Sequence, residues 1–334
     1  MRKTFFYILF AALAMVGCEN SLPENETVLL SPVADTLFYS STEKGPFQIF
    51  TKRNGSLIQV INDASFDYWW VRLSPDRQKF ICYKSGIDNF FKDNDYTNAE
   101  LWMFNIDGTG GKKLIDKGQY NWRAQGYANW HPDGKHIVMA AELQDPDDDN
   151  NYRWHLFVAD TAGTVPIQLS DRVGLFSCPS VDATGTKITY SAFPDNITSG
   201  SVFKQEIFVA DLDTNVWALF NEVRITNDTW WDENPAFSPN GNYLVFGTAI
   251  TPTNLFENTN LRRYSFADDN TVVLRADGAA YLVPAWSEDG SYLYLQYRAN
   301  GQKPFSLARI NIDGSGFTEI MSNEAADLIN PIPY

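Results

Sequence analysis

The chain is short of positive charge, histidine, cysteine and long apolar runs, and each shortage removes a class of function. Lysine and arginine number 26 against 41 aspartates and glutamates, a formal charge of −15. That balance argues against holding nucleic acid or anionic lipid by bulk electrostatics. Three histidines are present. His131, His136 and His155 are too few, and too scattered along the chain, to read as the convergent His or Glu set that metal-dependent lyases and hydrolases use, so no metal or other cofactor is expected. Isolated Arg72, Arg123 and Arg153 could face an acidic ligand, but read more simply as ion-paired surface residues. A Gly-x-Ser-x-Gly elbow is missing, which speaks against a serine peptidase. Asp93-Asn94-Asp95 and Asp145-Pro146-Asp147-Asp148-Asp149 offer the oxygens Ca²⁺ prefers, but lack the spacing, glycine and distal glutamate of an EF-hand. They read as solvated acidic loops.

The N-terminal eighteen residues are expected to be a leader. Arg2 and Lys3 give it a basic start, and the apolar run Phe5 to Val16 is twelve residues long, against about twenty needed to cross a bilayer. Met15-Val16-Gly17-Cys18 resembles a bacterial lipobox, which would make Cys18 the lipidated first residue; Met15, where leucine is usual, leaves a plain secretory signal open. Several acyl chains, not one, would be needed for stable anchoring. Residues 19–26 then form a short polar tether, and removing the leader takes the charge to −17.

What the chain does have is a repeat. Ser238-Pro239-Asn240-Gly241-Asn242 followed by Tyr243-Leu244-Val245-Phe246 is a tight turn entering a strand: proline presets φ, Asn and Gly accept φ > 0, and the aromatic and β-branched residues suit a half-buried pleat. Copies begin near Ser31, Ser74, His131, Asp182 and Ser287, at intervals of 43 to 57 residues. Each is followed by a second hairpin with its own turn, such as Asn54-Gly55, Asp107-Gly108 or Asp313-Gly314. Two hairpins make a four-stranded sheet, and periods of this length with strand throughout point to propeller blades. The expected fold is therefore all-β, a six-bladed propeller of four-stranded antiparallel blades over residues 27–334. Cys82 and Cys178 fall in blades two and four, which are not neighbours, so two buried free thiols are expected, not a disulfide.

These copies resemble the Pro-Asp-Gly repeats of TolB-like propellers, a branch of the WD-like propellers, from about residue 27 to the end. The resemblance implies an exported ring and permits, as an alternative, a propeller-type carbohydrate-active enzyme such as an oligouronate lyase. It departs from TolB in starting its first hairpin at Ser31 with no α/β domain ahead, so no partner contact is carried over. Propellers host unrelated activities, and the fold alone does not choose among them.

Two segments compete to complete the first blade. Thr27-Val28-Leu29-Leu30 precedes Ser31-Pro32 as an inner strand should, but Asn330-Pro331-Ile332-Pro333 copies Asn234-Pro235-Ala236-Phe237 equally well and is the favoured closure. Length varies in the second-to-third loops, at 84–99, 142–153, 193–205 and 249–260. Together with the blade-to-blade links these lie on one face, the expected recognition face. The links are rich in rings, among them Phe66, Tyr68, Trp69, Trp70, Tyr120, Trp122, Tyr127, Phe176, Trp230, Trp231 and Tyr281. Aligned on the repeat, Tyr68, Gln125, Phe176, Asp232 and Tyr281 are equivalent and are placed near the channel mouth. Flat rings with a few polar groups suit a sugar or peptide, although rings wedged between blades would give the same pattern. The candidate binding set is Tyr68, Trp69, Trp70, Trp122, Gln125, Tyr127, Trp230, Trp231, Asp232 and Tyr281. The expected function is an envelope-tethered, non-enzymatic module that binds an envelope protein, peptide or glycan, touching the membrane only through its lipid.

Overall fold

The computed structural model describes residues 28–29, 36–87, 95–144, 154–170, 176–194, 204–251, 256–299, 301 and 304–334. The leader with Cys18, the tether at 19–26, the acidic Asp145–Asp149 run, Asp93-Asn94 and Arg153 lie outside the described residues.

The described repeats close as their turn chemistry requires; the copy at Ser31, residues 31–35, lies outside the described residues. The Ser74 hydroxyl donates to Asp76 Oδ1 at 2.6 Å and accepts the Lys79 amide at 3.0 Å, while the Gln78 amide donates to the same carboxylate oxygen at 3.0 Å. Ser238 with Asn240 and Ser287 with Asp289 repeat the arrangement. Gly134, Gly185, Gly241 and Gly290 hold the left-handed position of the turn, which in blade two is filled by Arg77 at φ 57°. Asp182, at the serine place in blade four, accepts the amides of Thr186 and Lys187 at 3.0 and 2.9 Å.

The strands these turns connect form six antiparallel sheets around a channel. Their inner strands are Leu328–Pro333 (blade one), Asp67–Leu73 (two), Trp122–Trp130 (three), Phe176–Val181 (four), Trp231–Phe237 (five) and Ala280–Trp286 (six). Blade one is closed by the C-terminus: Leu328–Pro333 pairs with Leu37–Ser41, which continues to Gln48–Arg53 and Ser56–Gln59. Val28–Leu29 is not an inner strand; it pairs with Met321 and Ser322 as a fifth, outermost strand of blade six. Both ends of the chain thus fasten the ring, across adjacent blades.

The core lies between blades, because each sheet presents apolar side chains to both neighbours. Trp69 stacks on Tyr83 at 4.8 Å, Trp122 meets Phe157 at 4.6 Å, and Trp69, Tyr83, Tyr190, Tyr281 and Tyr294 are fully buried. Each such side chain contributes about 1.5–3 kcal/mol through burial. Cys82 and Cys178 are free and buried, and burial pushes both thiols well above the usual range.

Candidate ligand cavity in the central channel

One irregularity recurs in every inner strand and shapes the channel. In blade two, Trp69 pairs with Tyr83 and Arg72 with Ile81, so Trp70 and Val71 face the single residue Cys82. The same two-against-one bulge occurs at Tyr127-Ala128, Cys178-Pro179, Asn234-Pro235, Val283-Pro284 and Asn330-Pro331. The first residue of each bulge has φ between 46° and 60°. Left-handed backbone costs a residue with a side chain about 1–2 kcal/mol, and proline is tolerated at a bulge because no ladder bond is asked of its nitrogen. The result is a sixfold ring of kinks whose leading side chains turn toward the axis.

Trp70, Cys178, Asn234 and Val283 from that ring line chambers on both of its sides. The chamber on the loop-rich face is a cavity of about 370 Å³. All six blades contribute to its wall. The rings of Trp70, Tyr96, Tyr127, Trp231, Phe256 and Phe305 alternate there with Gln205, Glu233, Asn234, Gln296 and Asn330. The smaller chamber, about 170 Å³ on the short-turn face, has Arg72 in its wall. Its guanidinium lies 4.0 Å from the Trp70 ring, and burial lowers it to about 10.

The larger cavity is held rigidly at its rim and left polar inside. Trp70 Nε1 donates to the Ala128 carbonyl at 2.9 Å, Gln205 Nε2 donates to Ser177 Oγ at 2.8 Å, and the Cys178 thiol donates to Asn234 Oδ1 at 3.1 Å. Trp70 meets Tyr127 edge-on at 5.5 Å, and Tyr96 meets Tyr127 at 5.1 Å. Polar atoms in the wall that are buried without a hydrogen-bond partner include Glu233 Oε1, an acceptor, and Asn330 Nδ2, a donor. Burial pushes the Glu233 carboxyl up to about 7, with the neighbouring Asp232 adding to the rise and a hydrogen bond from Trp231 opposing it. An unmet buried polar group costs about 1–3 kcal/mol, so a ligand able to donate to one and accept from the other recovers that energy.

Of the ten residues singled out from sequence, Trp70, Tyr127 and Trp231 line this cavity. The rest lie in the walls between blades or at the rim. Tyr68 donates to Asp63 Oδ2 at 3.0 Å, and Gln125 Nε2 donates to the Ala99 carbonyl of blade two at 2.8 Å. Asp232 accepts from Thr248 Oγ1 at 2.5 Å and lies 3.4 Å from Arg262; burial raises it to about 7 despite these partners. Tyr281 donates to Asp277 Oδ1 at 2.7 Å. Trp69 and Trp122 are buried, and Trp230 lies at the rim with Arg262 at 5.2 Å from its ring. Of the arginines, Arg72 reaches the smaller chamber and Arg123 approaches Glu142 at 3.8 Å.

Sequence reading missed Tyr96, Gln205, Glu233, Asn234 and Asn330. A signal for part of this set was available: Cys178, Asn234, Val283 and Asn330 each precede a proline at the same place in an inner strand. Proline there marks the bulge, and the residue before it is the one turned to the axis.

No protein-family model matches the chain, and no curated protein matches it. Solved structures do. TolB from Acinetobacter baumannii superposes with a TM-score of 0.67 at 11% identity, over 91% of this chain and 68% of that one. A putative TolB from Agrobacterium tumefaciens gives 0.60 at 12% identity, over 90% and 99%. An oligogalacturonate lyase in complex with manganese gives 0.55 at 11% identity, over 86% and 73%. At such identities the likeness establishes the fold, a six-bladed propeller of TolB-like architecture, and nothing of its chemistry.

Proposed function

We propose that this chain is a non-enzymatic recognition module of the bacterial envelope, lipid-anchored at Cys18, which takes a segment of peptide or glycan into the channel mouth on its loop-rich face. The observation that carries the reading is the cavity of about 370 Å³ with an unmet acceptor at Glu233 and an unmet donor at Asn330 between aromatic walls. Its size falls within the range of small-ligand sites, roughly 300–1,000 Å³. Rings supply stacking area without stripping every hydroxyl or amide of water, and the two unmet groups would fix orientation.

A lyase reading would place metal-binding side chains in the same mouth. Among the described residues no histidine lines the cavity, and its one raised carboxyl, Glu233, would instead favour a ligand that donates a hydrogen bond. The test is titration of the purified protein with short peptides and with neutral and uronate oligosaccharides, read by calorimetry, alongside a turnover assay on the uronates. Saturable binding by wild type that falls at least tenfold in Trp231→Ala, without turnover, supports recognition. Turnover of a uronate, or binding that Trp231→Ala and Asn330→Ala leave unchanged, refutes it.

A further inference from the structure

On the short-turn face, away from the cavity, blade three departs from its siblings at one place. Where blades two, five and six carry Ser74, Ser238 and Ser287, it carries His131. In those blades the serine hydroxyl is consumed within the turn, donating to the Asp or Asn two residues on. His131 brings an imidazole to that carboxylate instead, and His136, the first residue of the following strand, brings a second. Ligand atoms of His131, Asp133 and His136 lie within 4.8 Å of one another.

The protonation pattern is set by the next blade. His131 Nε2 lies 3.0 Å from the Gly185 carbonyl, which can only accept, so the proton sits on Nε2 and the Nδ1 lone pair faces inward. Zinc-binding histidines are held in the same way, the ring nitrogen away from the metal donating to a carbonyl or carboxylate. Nδ1 then confronts Asp133 Oδ2 at 3.2 Å. These are two lone-pair atoms at the edge length of a tetrahedron with metal bonds of about 2.0–2.1 Å. The one competing donor to Nδ1, the Asp133 amide, is at 3.2 Å, the long end of hydrogen bonding. His136 Nδ1 sits 2.5 Å from Asp133 Oδ2 and shares a proton with it. The Lys135 and His136 amides donate to the other oxygen of that carboxylate, Oδ1, at 2.8 and 3.0 Å, and leave Oδ2 to the two imidazoles. Trp217, from blade four and itself at φ 52°, covers both imidazoles, with ring centres 5.4 and 4.5 Å away.

The second acidic cluster, Glu206 with Asp228 and Asp232, is different in kind. Arg224 reaches Glu206 at 2.7 Å and Arg262 reaches Asp228 at 3.0 Å, so its charge is already met by protein cations.

We propose that His131 Nδ1, Asp133 Oδ2 and His136 Nδ1 form a site for one divalent cation of the zinc type, with a water completing the tetrahedron. Two imidazoles and a carboxylate select borderline metals over Mg²⁺ or Ca²⁺. The cation takes the place of the proton shared by Asp133 and His136, which leaves to solvent, and the half-exposed His136 ring moves outward to reach bonding distance. Because His131 is tied to Gly185 and Trp217 lies over both rings, the metal would also clamp blade three to blade four.

The test uses the full chain, stripped with chelator, incubated with Zn²⁺ and desalted. Metal content is measured for wild type, His136→Gln and Asp133→Asn, with Co²⁺ absorption as a second readout. His136 is half-exposed, so its substitution spares the fold, and circular dichroism verifies this. The expected result is one zinc per chain in wild type, a rise in Tm that chelator reverses, tetrahedral Co²⁺ bands, and at least tenfold weaker binding in both variants. Wild type that retains no zinc, zinc content equal in wild type and His136→Gln, or Co²⁺ bands that survive in the variants would each overturn the proposal.

Discussion

Glu233 makes the channel wall a source of pH-dependent instability, and the size of the effect follows from its surroundings. An ordinary glutamate carboxyl titrates at 4.5, whereas burial holds this one at about 7. Below 4.5 the side chain is protonated whether the chain is folded or not, and no penalty exists. Between 4.5 and about 7 the unfolded chain has released a proton that the folded chain still holds, so stability falls as pH rises. Above 7 the folded carboxyl is ionised and the loss is complete. At about 1.4 kcal/mol per pH unit, the interval corresponds to roughly 3.5 kcal/mol, an upper bound because the half-buried side chain is partly screened by solvent. Glu233→Gln keeps the shape and removes the charge. Urea unfolding of both proteins at pH 4.5 and pH 8 isolates the group, because Asp232, raised for similar reasons, is present in both. The variant should match wild type at pH 4.5 and exceed it by about 2–3 kcal/mol at pH 8. A ligand that donates to Oε1 should shrink that gap. Parallel pH profiles for the two proteins would refute the assignment of Glu233 as a desolvated acid.

Three further substitution or deletion experiments address the frame. Asp182→Ala removes the acceptor of the Thr186 and Lys187 amides and of the Thr184 hydroxyl, and should cost about 2–3 kcal/mol by chemical denaturation. A loss below about 0.5 kcal/mol would show that water replaces it. Ending the chain at Asn323 deletes the inner strand Leu328–Pro333 and exposes the edge of Leu37–Ser41, so the product should aggregate or lose its cooperative melt. Starting the chain at Thr36 deletes, among the described residues, the Val28–Leu29 pairing and should cost about 1–2 kcal/mol. The reverse order of severity would place the closing contact at the wrong terminus.

The frame was legible because its signals are local and repeated. A Ser-Pro-Asp-Gly turn states its own hydrogen bonds, and six copies in register leave few alternatives to a ring. The site was less legible for a geometric reason. Tyr68, Gln125, Asp232 and Tyr281 are equivalent, as alignment on the repeat predicts, and each stands two residues before the left-handed residue of its bulge. At that place the side chain meets the preceding blade: Tyr68 packs with Phe38 and Ile49 of blade one, and Tyr281 with Val245 and Leu261 of blade five. The next residue varies: Trp69 is buried in the wall between blades, whereas Ser177, Glu233, Leu282 and Ile329 line the cavity, and the bulge residue lines it in every blade. Period-two reasoning has no slot for the bulge residue. Glu233 and Asn330 were hidden for another reason, since being unmet is a property of what six distant strands bring together.

The route of the chain into the ring also fixes which face an anchor would hold. Each inner strand runs from the loop-rich face to the short-turn face, and the fourth strand of a blade, as Thr318–Ser322 in blade six, runs back toward the loop-rich face. Val28–Leu29 is antiparallel to that fourth strand, so the chain reaches residue 28 from the side of the loop-rich face, at the outer rim of blade six. With Cys18 in a membrane, the nine residues 19–27 span at most about 30 Å. The cavity mouth would then be turned toward the lipid surface and the His131 face away from it. Fluorophores at Phe256→Cys, beside the cavity, and at Lys135→Cys, on the opposite face, can be compared in vesicles carrying a headgroup quencher; Cys82 is buried, and Cys178, which lines the cavity, is replaced by serine in both proteins. The label at 256 should be quenched several-fold more than that at 135. Equal quenching would mean the disc has no preferred orientation, and stronger quenching at 135 would contradict the antiparallel pairing of residues 28–29 or the anchor at Cys18; non-lipidated Cys18→Ser protein, quenched at neither position, identifies the anchor as the cause of any asymmetry.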